Sequence, residues 1–361
     1  MSSAVEAQGT HGRARGLYNR VFSEYQKSVI RAILLATRNP SAAIPPSLKR
    51  SAVSDDVSYS VEGEIGECRL IFATSRGLFV LDYLNGIAKR VLSGKFYGLT
   101  RYGDSWLIAR SNNRGPKYRR MSDISAITLS GDQVESLKQL AIGIPGELHQ
   151  IDVIEDLLYV PHTGYNQILT TSVRRLLGRT VPATILSFDN TFLDIFKPSH
   201  LNSVFYNRGD RHVRLVAHNL TAHTAKSSDL VAYDPLTGEH SVQRTESHSA
   251  HNVFTSDGET IYCDSNNRRL VRNGQTIFEA DKLLRGLSIT DDRMYVGGSD
   301  VDFESSRRSS SDAAIYVLDR DGRLQGTVSI PGVGNLYEIR QLSSHDYAMS
   351  SEYQPAPRGP G

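Results

Sequence analysis

The stretch Ser249-Ala-His-Asn-Val-Phe-Thr-Ser-Asp-Gly-Glu-Thr-Ile-Tyr-Cys-Asp-Ser265 reads as a polar lead-in, a short strand, a tight turn, a second strand and a polar exit. Its Ser-Asp-Gly segment supplies the residues that a hairpin turn needs. The same plan recurs at residues 96–110, 148–162, 284–298 and 336–350, and in a longer form at 200–218. The residue leading into each first strand is Tyr97, His149, His200, His251, Arg285 or Tyr337, and the successive spacings are 52, 51, 51, 34 and 52 residues. A period near 50 residues holds about four short strands with their connections. Six such units arise, and the last is incomplete. Only an inner strand near Tyr337 remains at the C-terminal end, while the strands over residues 70–92 lack an inner partner. Joining the two sews a ring shut and leaves no open sheet edge. The spacing therefore predicts an all-β, six-bladed β-propeller whose inner strands start near those six residues.

Outward from the repeats, residues 1–56 read as an N-terminal extension, 57–353 as the propeller and 354–361 as a disordered tail. Within the extension, Val21, Tyr25, Val29, Ile33 and Leu34 recur at helical spacing, with Arg20, Lys27 and Arg31 between them. This predicts a helix over Leu17 to Thr37 that covers one face or edge of the propeller, with a basic side on which a partner could dock. The Pro-rich stretch after it ends the helix. Residues 163–197 and the Ser/Arg tract at 303–312 read as insertions within blades.

Composition limits the function classes. A net charge of +2 over 361 residues gives no special attraction to nucleic acid or membranes. No apolar run reaches the length of a membrane helix. Two cysteines, Cys68 and Cys263, make no disulfide framework. With no export signal in view, a cytoplasmic protein is expected. Nucleophile elbows, phosphate-binding loops, dinucleotide fingerprints and paired zinc-helix histidines are all missing.

The blade rhythm over residues 68–350 resembles the six-bladed propellers of the senescence-marker, gluconolactonase and NHL type. Strand exits such as Tyr295-Val-Gly-Gly-Ser299 and Cys263-Asp-Ser-Asn-Asn267 resemble those of a family of conserved hypothetical propellers. The resemblance implies the fold and no particular reaction. For the gluconolactonase-like group it also implies a hard cation at the axis on Glu, Asn, Asn and Asp; Glu338, Asn202 and Asn252 would supply three of these, with no fourth in view.

In a propeller, residues entering the inner strand and leaving the second strand gather at one mouth of the central channel. The lead-ins bring Tyr97, His149, Gln150, His200, Asn202, His251, Asn252, Arg285, Tyr337 and Glu338, and the exits bring Arg110, His162, His218, Asp264 and Ser299. Five of the 11 histidines fall in these two sets, although blades do not need histidine. Three readings follow. In the first, His149, His200 and His251 with Gln150 hold a divalent Zn, Mn or Fe, less readily Ca, for a hydrolase or lyase acting on a small polar or saccharide-like substrate. In the second, the histidines act without metal as acid and base, with Tyr97 and Tyr337 assisting and Arg285 holding an anion. In the third, the His, Asn and Tyr of the mouth only satisfy one another and channel waters; the alternative to an enzyme is a non-catalytic ligand- or protein-binding propeller. His162, His218, Asp264 and Arg110 are expected in an outer tier.

Overall fold

Short apolar strands that cannot bury both faces alone assemble here as six antiparallel sheets around one axis. The structure, a computed structural model, describes residues 56–112, 121–163, 165–193, 195, 199–219, 227–256, 258–300, 310–342 and 345–351. The helix expected over Leu17 to Thr37 and the C-terminal tail lie outside the described residues, as does most of the 303–312 tract.

The blades follow the chain. Blade two is built from Phe96–Tyr102, Ser105–Asn112, Met121–Ser130 and Gln133–Pro145; blade four from Ser199–Asn207, His212–Asn219, Ser227–Tyr233 and His240–His248. Blade five, from Ala250–Ser256 to Gln275–Glu279, is the short unit that the 34-residue spacing announced. Blade six runs from Leu283–Ile289 through Leu324–Ile330. The observed inner strands begin within three residues of the expected positions.

Blade three departs from expectation. Residues 163–197 are not simply an insertion: Gln167–Ser172 and Asp189–Phe192 are its third and outer strands, joined to the inner pair Asp152–Ile154 and Leu157–His162. Between them lies a short helix, Val173–Gly178, capped by the Ser172 hydroxyl accepting from the Arg175 backbone N–H. The helix breaks the strand rhythm, and an outer strand with no buried residue carries no alternation to read.

Closure is as the incomplete last unit required. Leu336–Gln341 pairs with Arg69–Thr74, with Ile339 opposite Phe72 and Arg340 opposite Ile71, and forms the inner strand of blade one. Two further strands were not foreseen. Val57–Ser58 adds to the outer edge of blade one, and Ser60–Gly63 to the outer edge of blade six. The propeller's first residues thus straddle its closing seam. Apolar side chains from neighbouring blades interlock between sheets, as where Phe205 of blade four meets Phe254 of blade five with ring centroids 5.0 Å apart.

After its last strand the chain crosses the channel at the far end of the inner strands. Asp346 accepts from the Ser288 hydroxyl at 2.7 Å and from the Ile289 N–H at 3.1 Å in blade six. Ser350 donates its N–H to Asp152 of blade three at 2.9 Å, and its hydroxyl accepts from the Tyr206 N–H of blade four at 2.7 Å. The opposite mouth holds the candidate site.

Candidate functional site

All six inner strands are irregular where they enter at the mouth. In five of them a β-bulge falls at or beside the lead-in residue: at Phe96/Gly98, Leu201/Ser203, His251/Phe254, Leu284/Leu287 and Leu336/Glu338. In blade three, residues 149–151 precede the inner strand and only Leu148 bridges to His162. Bulges re-aim side chains that a regular ladder would send sideways into the neighbouring blade. Here they turn the lead-ins toward the axis.

The result is a ring of planar groups. Tyr337 and Tyr97 lie 4.4 Å apart by ring centroid, Tyr97 and His149 4.8 Å, and His149 and His200 4.5 Å. His218, an exit residue, fills the next gap: it is 5.2 Å from His200 and 4.9 Å from His251. His149 and His251 face each other at 6.3 Å. The Arg285 guanidinium, 5.6 Å from the Tyr337 ring centre, completes the circle.

A second tier lies one step deeper. Asn252, at φ 56°, donates its amide to both Glu338 oxygens at 3.1 Å and accepts from the Gly286 N–H at 2.8 Å. Asn202 donates to the Ala250 carbonyl at 3.0 Å and accepts from the Ser203 hydroxyl at 2.6 Å. Both amide oxygens are thus already engaged by the fold. Of the three remaining positions, one is Gln150 and the other two are Gly98 and Gly286. A side chain at Gly98 would start 2.4 Å from the His149 carbonyl oxygen, and one at Gly286 would start 2.8 Å from Leu336. The tier has no room there for further ligands. Glu338 is fully buried and ion-paired with Arg340 at 3.0 Å. Burial, opposed by Arg340, pushes the Glu338 carboxyl up to about 8.

The outer tier divides. Only His218 reaches the ring. His162 is held by Gln167 and by the Pro145 carbonyl and stacks on Tyr165 at 4.3 Å. Arg110 pairs with Asp123 at 2.6 Å within its own blade. Asp264 binds Arg269 at 2.9 Å and the His248 N–H at 2.8 Å. The Ser299 hydroxyl accepts from the Leu336 N–H at 2.7 Å. These four brace the loops of the mouth.

Protonation follows from burial. His149 is held down to about 3, chiefly by desolvation, with Glu147 pulling the other way and Arg285, His218 and Lys95 adding to the depression. His251 is driven well below its usual value by burial and then by Arg285. Both imidazoles are neutral at pH 7. His251 Nδ1 lies 2.6 Å from the Ser249 carbonyl oxygen, which only an N–H satisfies, so its Nε2 carries the lone pair. His149 Nε2, His251 Nε2 and Gln150 Oε1 are buried with no hydrogen-bond partner among the described residues. These three atoms are the donors that a metal or a ligand proton could find. Among the described residues, no group of three or more His, Cys, Asp or Glu side chains is arranged to hold a metal ion.

Two further residues at the mouth were not singled out from the sequence. Lys95 sits with its ammonium 4.5 Å from the Tyr97 ring centre and 3.8 Å from a Glu147 oxygen, to which the Tyr97 hydroxyl donates at 3.3 Å. Each lies two residues before a lead-in, and that proximity was the available signal. The cavity inside the ring is lined by Tyr97, His149, Gln150, Asn202, His251 and Arg285 among others, and offers about 10 Å³ to a water centre, room for one water or an ion of that size.

No family model matches the chain, and no curated protein matches its sequence. Solved structures do match in shape. A chain of a nidogen/laminin complex superposes with a TM-score of 0.56 at 10% identity, over 76% of this chain and 99% of that one. A protein of unknown function from Bacteroides caccae gives a TM-score of 0.53 at 10% identity, over 77% of this chain and 100% of that one. At such identities the likeness shows the fold alone, and the chain stands as a six-bladed β-propeller with a histidine-lined mouth.

Proposed function

We propose that the mouth binds a small carboxylate or similar anion, with Arg285 holding the charge and the imidazoles of His149 and His251 exchanging protons with the ligand. On this reading the protein is an acid–base catalyst of lyase or hydrolase type, and Tyr97 and Tyr337 assist from the aromatic half of the ring. The observation that carries it is the pair of buried, neutral Nε2 atoms of His149 and His251, without a hydrogen-bond partner among the described residues, in a pocket where Arg285 and Lys95 both bear on the imidazoles. An entering anion adds negative charge beside the two imidazoles and brings both closer to the pKa range where they transfer protons well. The narrow cavity favours a ligand of few atoms over a saccharide.

A second reading has one observation in its favour. A histidine whose Nδ1–H is fixed on a backbone carbonyl, as His251 is on Ser249, presents Nε2 as metal-ligating histidines do. A divalent ion on His149, His251 and Gln150, with His200 beside them, would make the protein a metal-dependent hydrolase or lyase. The positive charge of Arg285 and Lys95 weighs against a cation there.

The two readings separate in one experiment. Thermal melting of protein purified without chelators is followed with acetate, formate and phosphate, and in parallel with zinc and manganese. Under the first reading the anions raise the melting temperature of the wild type and not of Arg285→Gln. If no anion has an effect while zinc or manganese stabilises, and one equivalent of metal is present by mass spectrometry, the second reading replaces the first.

A further inference from the structure

We infer that the ligand of the mouth is a hydroxy acid: a small carboxylate with a hydroxyl on the neighbouring carbon, whose O–H donates to His251 Nε2 beside Gln150 Oε1. The inference rests on the anion reading above and names what the anion carries besides its charge.

A carboxylate brings acceptors and no hydrogen. The cavity inside the ring already presents acceptors that need one. His251 Nδ1 lies 2.6 Å from the Ser249 carbonyl oxygen and 2.9 Å from the Ser265 hydroxyl. A carbonyl only accepts, so the ring hydrogen is on Nδ1 and Nε2 is fixed as an acceptor. Nε2 is buried, and among the described residues nothing donates to it. The same holds for Gln150 Oε1, and both residues line one cavity with His149 and Arg285. That cavity has room for one oxygen-sized group. An acetate oxygen placed there faces two acceptors with no water between them, and neither gains a hydrogen bond. A hydroxyl of the same size reverses the contact. Its hydrogen goes to His251 Nε2, with Gln150 Oε1 as a second acceptor alongside, and its lone pairs remain open to an N–H of His149. One carbon away, the carboxylate is left to reach Arg285, whose charge bears on both imidazoles.

The local fold holds these acceptors in place. Ser249 takes φ 57°, a left-handed conformation that a serine keeps only where its surroundings impose it. It presents its carbonyl to the His251 ring two residues on. The Asn266 side chain donates to the Ser249 hydroxyl at 3.1 Å, and the Asn266 N–H to the His248 carbonyl at 3.1 Å. The exit of the second strand thus clamps the lead-in of the first. Gln150 is held by its own N–H, which donates to the Asn202 carbonyl of the next blade at 3.2 Å. His149 Nε2 has no such tether among the described residues, so His149 can meet a ligand as donor or as acceptor, whereas His251 meets it as acceptor alone.

The test compares acetate, fluoroacetate and glycolate by titration calorimetry at neutral pH and fixed ionic strength. Fluorine has nearly the size of a hydroxyl and donates no hydrogen. The expected result is that the wild type binds glycolate about tenfold or more tightly than either of the others. In His251→Phe, shown by melting curves to be folded, glycolate should fall to the level of acetate. Arg285→Gln should weaken both and leave their ratio standing. Glycolate no tighter than acetate, with acetate bound, overturns the inference and leaves the anion reading intact. Fluoroacetate as tight as glycolate overturns it too, because size and not the hydrogen then explains the gain. A preference for glycolate that survives in folded His251→Phe overturns the assignment to that imidazole. Should His251→Phe fail to fold, the wild-type comparison of glycolate with fluoroacetate decides. If the wild type binds none of the three, the inference and the anion reading fail together.

Discussion

Imidazoles kept neutral by burial tie this protein's stability to pH. In the folded chain His149 gains a proton only near pH 3, whereas unfolding returns it to its ordinary value of 6.5. Between those limits the unfolded chain binds a proton that the folded chain does not, so its contribution to stability is intact above 6.5 and is lost as pH falls toward 3, by about 1.4 kcal/mol per pH unit. His251 acts in the same direction. We therefore expect the denaturant midpoint to drop steadily below pH 6.5, and expect His149→Gln to show a slope shallower by one proton; an identical slope in the variant would refute the assignment. A second residue-scale expectation concerns Gly98. A methyl group there collides with backbone at the His149 carbonyl, not with a side chain that could rotate away. Gly98→Ala should cost roughly 1–3 kcal/mol in chemical denaturation, and a neutral result would mean that the two blades separate more easily than their contact indicates. His218, an exit residue, was expected further out; the six lead-in residues of the ring could be read from sequence because rotational symmetry brings equivalent positions of a repeat to one axis. Lys95 and Glu147 could not, because whether a side chain just before a strand points to the axis or to solvent depends on local backbone that spacing does not encode.

At the scale of elements, the bulges decide the site. Hydrophobic rhythm locates strands but is blind to a one-residue slip at a strand's first position, and five blades carry that slip at the mouth. The strand of His200 shows this: Leu201 and Ser203 pair with adjacent residues of the next strand and Asn202 is the extra one. Blade three was obscured differently, its outer half being interrupted by a helix and exposed to solvent. The two edge strands before residue 64 are too short, at two and four residues, to carry a pattern. The segment from Pro145 to His149 offers a test at this scale. Its conformation hangs on Ser122, whose buried hydroxyl both donates and accepts across the turn. Ser122→Ala leaves a buried carbonyl and a buried N–H without that partner and should cost about 1–3 kcal/mol. The same change should weaken acetate binding, since His149 and Glu147 both ride on the segment. Loss of stability with unchanged acetate affinity would show that the turn holds its shape without the serine.

For the whole molecule, closure has two parts, and they should fail differently. The inner strand Leu336–Gln341 completes blade one and carries Arg340, which is fully buried and donates to the Leu99 carbonyl of blade two at 3.1 Å and the Leu287 carbonyl of blade six at 2.7 Å. Without this strand, the Arg69–Thr74 edge, with Leu70 and Phe72 fully buried beside it, would face solvent as an unpaired apolar edge. A chain ending at residue 334 should therefore accumulate as insoluble protein, and a soluble monomer with an unchanged melting temperature would refute strand closure. The crossing that follows the strand is a separate tie. Asp346 accepts from Ser288, Ile289, Gln341 and Ala348, and all four bonds are buried. Replacing it with alanine leaves those donors without the carboxylate while the strand pairing is untouched. Asp346→Ala should stay soluble and closed but lose about 3 kcal/mol or more, and its C-terminal segment should be trimmed by protease faster than that of the wild type. Because the crossing lies at the far end of the channel from the histidine ring, acetate affinity at the mouth should change little in this variant. Stability and ligand binding lost in proportion would mean that the ring's width is set from the floor, and that the propeller transmits strain along its axis.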